Sequence, residues 1–79
     1  MTDLEEEWHE WGQLAFIRSG LMELSIAGES FIAPPRFGVW IPPRARHRSY
    51  NHKAIDFGTI NVASELCQGL PTSPCVLDL

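Results

Sequence analysis

The stretch WIPPRARHRSYN, residues 40–51, holds two adjacent prolines, three arginines at alternate positions, a histidine and no acidic residue. Proline has no N–H to give to a sheet, so Pro42-Pro43 must end one extended segment before another begins. The residues on either side favour strands: FGVWI at 37–41 and HRSY at 47–50. The same pattern repeats outward. ESFIA at 29–33 stops at Pro34-Pro35. LMELSI at 21–26 alternates, with Met22, Leu24 and Ile26 on one face and Leu21, Glu23 and Ser25 on the other. Ala27-Gly28 between these two runs predicts a hairpin over 21–33, with Gly28 taking a backbone conformation that other residues resist. LAFIR at 14–18, AIDFGTINV at 54–62 and a weaker CVLDL at 75–79 complete the set. Only VASELCQGL at 62–70 offers a place for a helix. Closely spaced short strands joined by turns predict an all-β sandwich or barrel.

Composition sets the bounds. Seventy-nine residues make one small domain, 1–79, or a fragment of one, with a modest buried fraction and marginal stability. An apolar content of 44% with 20% charged residues argues against general disorder. The net charge of −4 disfavours attraction of the whole chain to a nucleic-acid backbone. Charge is nevertheless segregated: Asp3, Glu5, Glu6, Glu7 and Glu10 crowd the start, whereas Arg36, Arg44, Arg46, Arg48 and Lys53 lie in a stretch without acids. Cys67 and Cys75 are too few for a disulfide framework and read as simple thiols. With neither a secretory leader nor an apolar run of membrane-spanning length, the expectation is a reduced, cytoplasmic chain without membrane contact. No Ser-His-Asp, Cys-His or phosphate-loop spacing is present to carry another chemistry.

Two spaced motifs carry a resemblance. Glu7-Trp8-His9, three residues, Gln13, six residues and Gly20 follow the spacing histidine-x-histidine, glutamate, glycine of the first cupin motif. Arg36, five residues, Pro42, then Arg44, His47 and Asn51 follow the glycine, proline, glycine, histidine, asparagine spacing of the second. Identity holds at His9, Gly20, Pro42, His47 and Asn51, and fails at Glu7, Gln13, Arg36 and Arg44. Glutamine in place of the carboxylate makes GQLAFIRSGLMELSI and PPRFGVWIPPRARH resemble the N-terminal cupin domain of AraC-type transcriptional regulators more than the enzymatic cupins. The tail GLPTSPCVLDL also looks like the linker-side end of that domain, so the resemblance covers residues 7–79. It implies a small cupin-like jelly roll, incomplete at its start, that senses a small-molecule effector and dimerises without catalysing a reaction. The alternative is a small metal-dependent cupin enzyme. Relatives bind promoter DNA through two helix-turn-helix units, and no helical pattern here is long enough for one; direct nucleic-acid binding by this chain is therefore not expected. A missing edge strand would favour pairing with a second copy as a homodimer.

The resemblance also names a site. It implies a ligand pocket formed by His9, Gln13, His47, Trp11 and Trp40. Glu7 and His9, two apart on a strand, can face one point; with His47 they make two imidazoles and a carboxylate, a set that suits a divalent metal. The cofactor expectation is thus either none or one divalent ion, because the neutral Gln13 weakens the affinity for a dication. Alternatives stay open for each residue: His9 as part of a frayed acidic terminus, His47 as a strand-start residue bonded to backbone, His52 as plainly exposed. If extended, Arg44, Arg46 and Arg48 form one basic stripe, which is a solvated face, an anion site or a contact to an acidic terminus of a second subunit. Arg36 and Arg44 stand where turns ordinarily need glycine, so either the turns change shape or the backbone is strained. Trp8 and Trp11 suit a barrel mouth or a subunit interface; Trp40, opposite in face to Val39 and Ile41, should lie outward against another layer or a partner.

Overall fold

The computed structural model describes residues 2–3, 6–51 and 54–78. The expectations placed on Glu5, His52 and Lys53 lie outside the described residues. Among the described residues eight strands form: β1 (Thr2–Asp3), β2 (Gly12–Ser19), β3 (Met22–Ile26), β4 (Glu29–Ala33), β5 (Phe37–Ile41), β6 (His47–Asn51), β7 (Asp56–Val62) and β8 (Cys75–Asp78). They make two antiparallel four-stranded sheets, in the orders β1-β6-β3-β4 and β7-β2-β5-β8. The chain is thus a small two-sheet all-β domain, and the sheets do not close into a barrel among the described residues. Residues 62–70 hold only a 3₁₀ turn, Ser64–Leu66. No helix among the described residues is long and apolar enough to cross a membrane.

Side-chain alternation explains how the sheets stack. In β3, Met22, Leu24 and Ile26 are buried while Glu23 and Ser25 are half-buried on the other face. Ala15 and Ile17 of β2, with Val39 and Ile41 of β5, supply the facing layer. These residues and Ala33 form the core between the sheets, and Ile26, Ala33 and Val39 are wholly removed from water. Burying each large aliphatic side chain stabilises the fold by about 1.5–3 kcal/mol, before the ordering entropy that opposes it.

The turns follow the sequence closely. Ala27 and Gly28 both have positive φ, +51° and +83°, and join Ile26 to Glu29 in a two-residue hairpin. Arg36 and Arg44 also keep positive φ, +79° and +65°. The two turns have therefore retained the glycine shape despite carrying arginine. At the outer end of β2 a bulge lies between Ile17 and Ser19. There the Arg18 guanidinium donates from Nε and Nη2 to Asp56 Oδ1 at 3.1 and 2.8 Å, and from Nη2 to the Phe57 carbonyl at 3.1 Å. That hydrogen bonding holds the Asp56 carboxyl below its ordinary range and raises Arg18.

Trp40 points away from the core yet is only 4% exposed. Residues 67–71 fold over it, and its Nε1 donates to the Pro71 carbonyl at 2.7 Å. Gly12 lies beneath the indole: a Cβ there would collide with the Trp40 ring. Residues 67–71 thus cover the outer face of the second sheet at Trp40.

Candidate functional site

The segment before β2 is tied to the start of β6. Glu7 N–H donates to the His47 carbonyl at 2.8 Å, and His47 N–H returns the bond to Glu7 at 2.9 Å. Arg44 N–H donates to the His9 carbonyl at 2.6 Å. This two-bond bridge sets Glu7 directly opposite His47. The two-residue period then brings His9 to the same side.

Glu7, His9 and His47 consequently form one cluster. One ligand atom from each lies within 4.8 Å of the others, and His9 Nε2 is 3.6 Å from Glu7 Oε2. The two imidazole rings have centroids 5.3 Å apart, tilted by 55°. His9 is stacked on Trp11 at 4.7 Å, with planes 6° apart, which fixes its ring orientation. His47 Nδ1 lies 3.2 Å from the Ala45 carbonyl, an oxygen that can only accept. That bond requires a proton on Nδ1 and leaves the lone pair of the neutral ring on Nε2.

These residues are a candidate divalent-metal triad. Two imidazoles and one carboxylate suit first-row divalent ions, and the His47–Ala45 bond is the kind of outer contact that orients a ligating imidazole. Bound donors lie about 2.0–2.2 Å from such an ion, so adjustments of about an ångström would bring the triad to one centre. A dication held there would polarise a ligand oxygen as a Lewis acid. Gln13, beside the same cavity, offers a neutral amide where a fourth anionic donor would bind more strongly.

Beneath the triad a cavity of about 180 Å³ opens between the sheets. Its apolar floor consists of Ala15, Met22, Leu24 and Ile41, with Phe57 at one side. Glu7, Gln13, His47, Arg48, Ser49 and Thr59 supply its polar wall. Apart from Arg48, each comes from an inward position: Leu24 pairs with Ser49, Ile26 with His47, Gln13 with Ile41, and Ala15 with Thr59.

Of the five expected pocket residues, Gln13 and His47 line this cavity, and His9 stands beside His47. Trp11 does not line it and backs His9 from outside, 40% exposed. Trp40 is on the far face of the second sheet, under residues 67–71. The arginines do not share one strand. Arg44 and Arg46 precede β6 and are exposed, with Arg46 Nη1 3.8 Å from Glu6 Oε1 of the same chain; only Arg48 lies within β6, its guanidinium 5.9 Å over Tyr50. Sequence reasoning missed Met22, Ser49, Phe57 and Thr59 as lining residues. For Ser49 a signal existed, its two-residue offset from His47. For Thr59 the β2–β7 register was needed.

No family model matches the chain, and no curated protein or solved structure shows a significant match to it.

Proposed function

We propose that the chain is a cupin-like, jelly-roll sensory domain of an AraC-type transcriptional regulator, which binds a small effector between its sheets and pairs with a second copy. The observation that carries this reading is the meeting of both motif segments at one cavity: Glu7, His9 and Gln13 from the first, His47 from the second. The floor is apolar and the polar groups converge at one end, as in small-molecule sites generally. Gln13 in place of a carboxylate favours sensing over metal-dependent catalysis. Promoter contact would belong to a separate helix-turn-helix domain, since this chain carries a net charge of −4. The working location in this reading is the cytoplasm.

Support for pairing comes from β7. It is the longest edge strand of the fold, DFGTINV, with neither lysine, arginine nor proline, and Phe57 and Ile60 are 41% and 53% exposed. Beyond Asp56 and the bulge at its first residues, such an edge lacks the usual guards against strand addition. A second copy is the occupant this reading assigns to it.

The triad favours a second reading, a small metal-dependent enzyme. One experiment separates the two: metal analysis of the purified chain alongside a thermal-denaturation screen of small molecules with light scattering. The sensory reading expects a dimer, a melting temperature raised by a compound in excess over its Kd, and no turnover. Stoichiometric iron, manganese or nickel with conversion of a compound would establish the enzyme instead. A dimer that responds to neither metal nor ligand would leave only a pairing module.

A further inference from the structure

We infer that the protein carries a second ligand site, outside the sheets, for a small apolar compound ending in an oxyanion, either a carboxylate or a phosphate monoester. An open groove of about 340 Å³ runs between the turn at 42–44 and the segment 64–72, part of which covers Trp40. It shares no lining residue with the cavity between the sheets. Its volume falls at the lower end of the range for small-molecule sites, about 300–1,000 Å³. Pro42, Pro43, Leu70 and Pro71 give it apolar walls.

Arg44 is the single charged residue on this lining, and no carboxylate among the described residues borders the groove. A guanidinium stays protonated in proteins, so the sign of the site depends on no titration. Arg44 has no ion-pair partner among the described residues, whereas Arg18 and Arg46 face Asp56 and Glu6. Ser64, Gln68 and Thr72 add groups able to donate to an oxyanion. The Cys67 thiol is directed at the Val62 and Ala63 carbonyls, 3.7 and 3.4 Å away, and so braces the wall. An independent observation points to the same residue. Arg44 holds a left-handed backbone, φ +65°, which glycine adopts without strain. Its turn is fixed by Arg44 N–H donating to the His9 carbonyl and Ala45 N–H donating to the Pro42 carbonyl at 3.2 Å. Those backbone bonds would serve glycine equally, but only a cationic side chain gives the groove its charge. Strained non-glycine residues of this kind gather at ligand clamps.

The test titrates benzoate, phenyl phosphate and benzyl alcohol into the purified chain. Binding is followed by NMR at the Trp40 indole N–H, which donates to the carbonyl of the lining residue Pro71 and is assigned with Trp40→Phe. At least one anion should shift this signal and bind about threefold or more tighter than the alcohol. That preference should shrink with added salt, because Arg44 is exposed. The tighter anion identifies a carboxylate or a phosphate as the natural group. Arg44→Gly keeps the turn and removes the charge, so it should abolish the preference while circular dichroism shows the fold intact. Arg44→Lys should retain part of it. Arg46→Gln, which alters an arginine outside the groove, should leave it unchanged. Benzyl alcohol binding as tightly as both anions, or no shift at Trp40 with either anion, would overturn the site. So would a preference that survives Arg44→Gly or falls equally in Arg46→Gln.

Discussion

Arg36 and Arg44 each hold a left-handed backbone, a conformation that costs a non-glycine residue about 1 kcal/mol or more. What keeps them there is local. Arg36 N–H donates to the Ile17 carbonyl at 3.0 Å and Arg44 N–H to the His9 carbonyl, so both turns are pinned by long-range backbone bonds. Arg36→Gly and Arg44→Gly should each raise stability by about 0.5–1 kcal/mol in urea denaturation, the glycine's extra freedom when unfolded offsetting part of the relief. A loss on either change would mean that the arginine side chain contributes more than its backbone costs. Gly12 presents the opposite case. Its conformation is ordinary for a strand, and its size matters because Trp40 lies against it. Gly12→Ala should therefore destabilise by about 1–3 kcal/mol and shift tryptophan fluorescence as the indole is displaced. The turn arginines were visible in the sequence as departures from a spacing. The Gly12–Trp40 contact was not, since it depends on the pairing of β2 with β5.

Among elements, the β2–β7 pair is clamped at one end by Arg18 and Asp56. Asp56 has a lowered pKa, chiefly because Arg18 donates to it. Such a carboxylate contributes stability above its unfolded value of about 3.9, and that contribution is lost as pH falls through the lower folded value. Between those two values, stability should fall more steeply with acid in the natural chain than in Asp56→Asn, as measured by denaturant titration. The difference will be small, because both side chains are more than half exposed. Strand positions were well anticipated: LMELSI, ESFIA, FGVWI and HRSY fall within a residue of β3 to β6. Prolines and glycines mark their ends for purely local reasons. β1 was not anticipated, since two residues in an acidic run carry no alternation, and it exists only through pairing with Tyr50 and Asn51.

At the scale of the whole molecule, one flank of the cavity is formed by β7, which is also one of the two edge strands of its sheet. Within the proposed function, Ile60→Lys should weaken dimerisation by about tenfold or more in sedimentation experiments, because a lysine on an edge strand opposes pairing. Thermal stability of the monomer should barely change, as Ile60 is 53% exposed. An unaltered dimer would place the interface elsewhere. The sequence by itself determined where the strands run, where they stop and which side of each is apolar. Those properties follow from side-chain alternation and from residues that cannot continue a ladder, and both act over a few neighbours. Only the tertiary structure decided which strands became neighbours. Register between β6 and the segment before β2 brings Glu7 opposite His47, forty residues away, and β2–β7 register sets Thr59 beside Ala15. It also separates Trp40 from the cavity, hiding it under residues 67–71 instead. Such pairings are selected by the joint burial of both sheets, a property of the assembled chain.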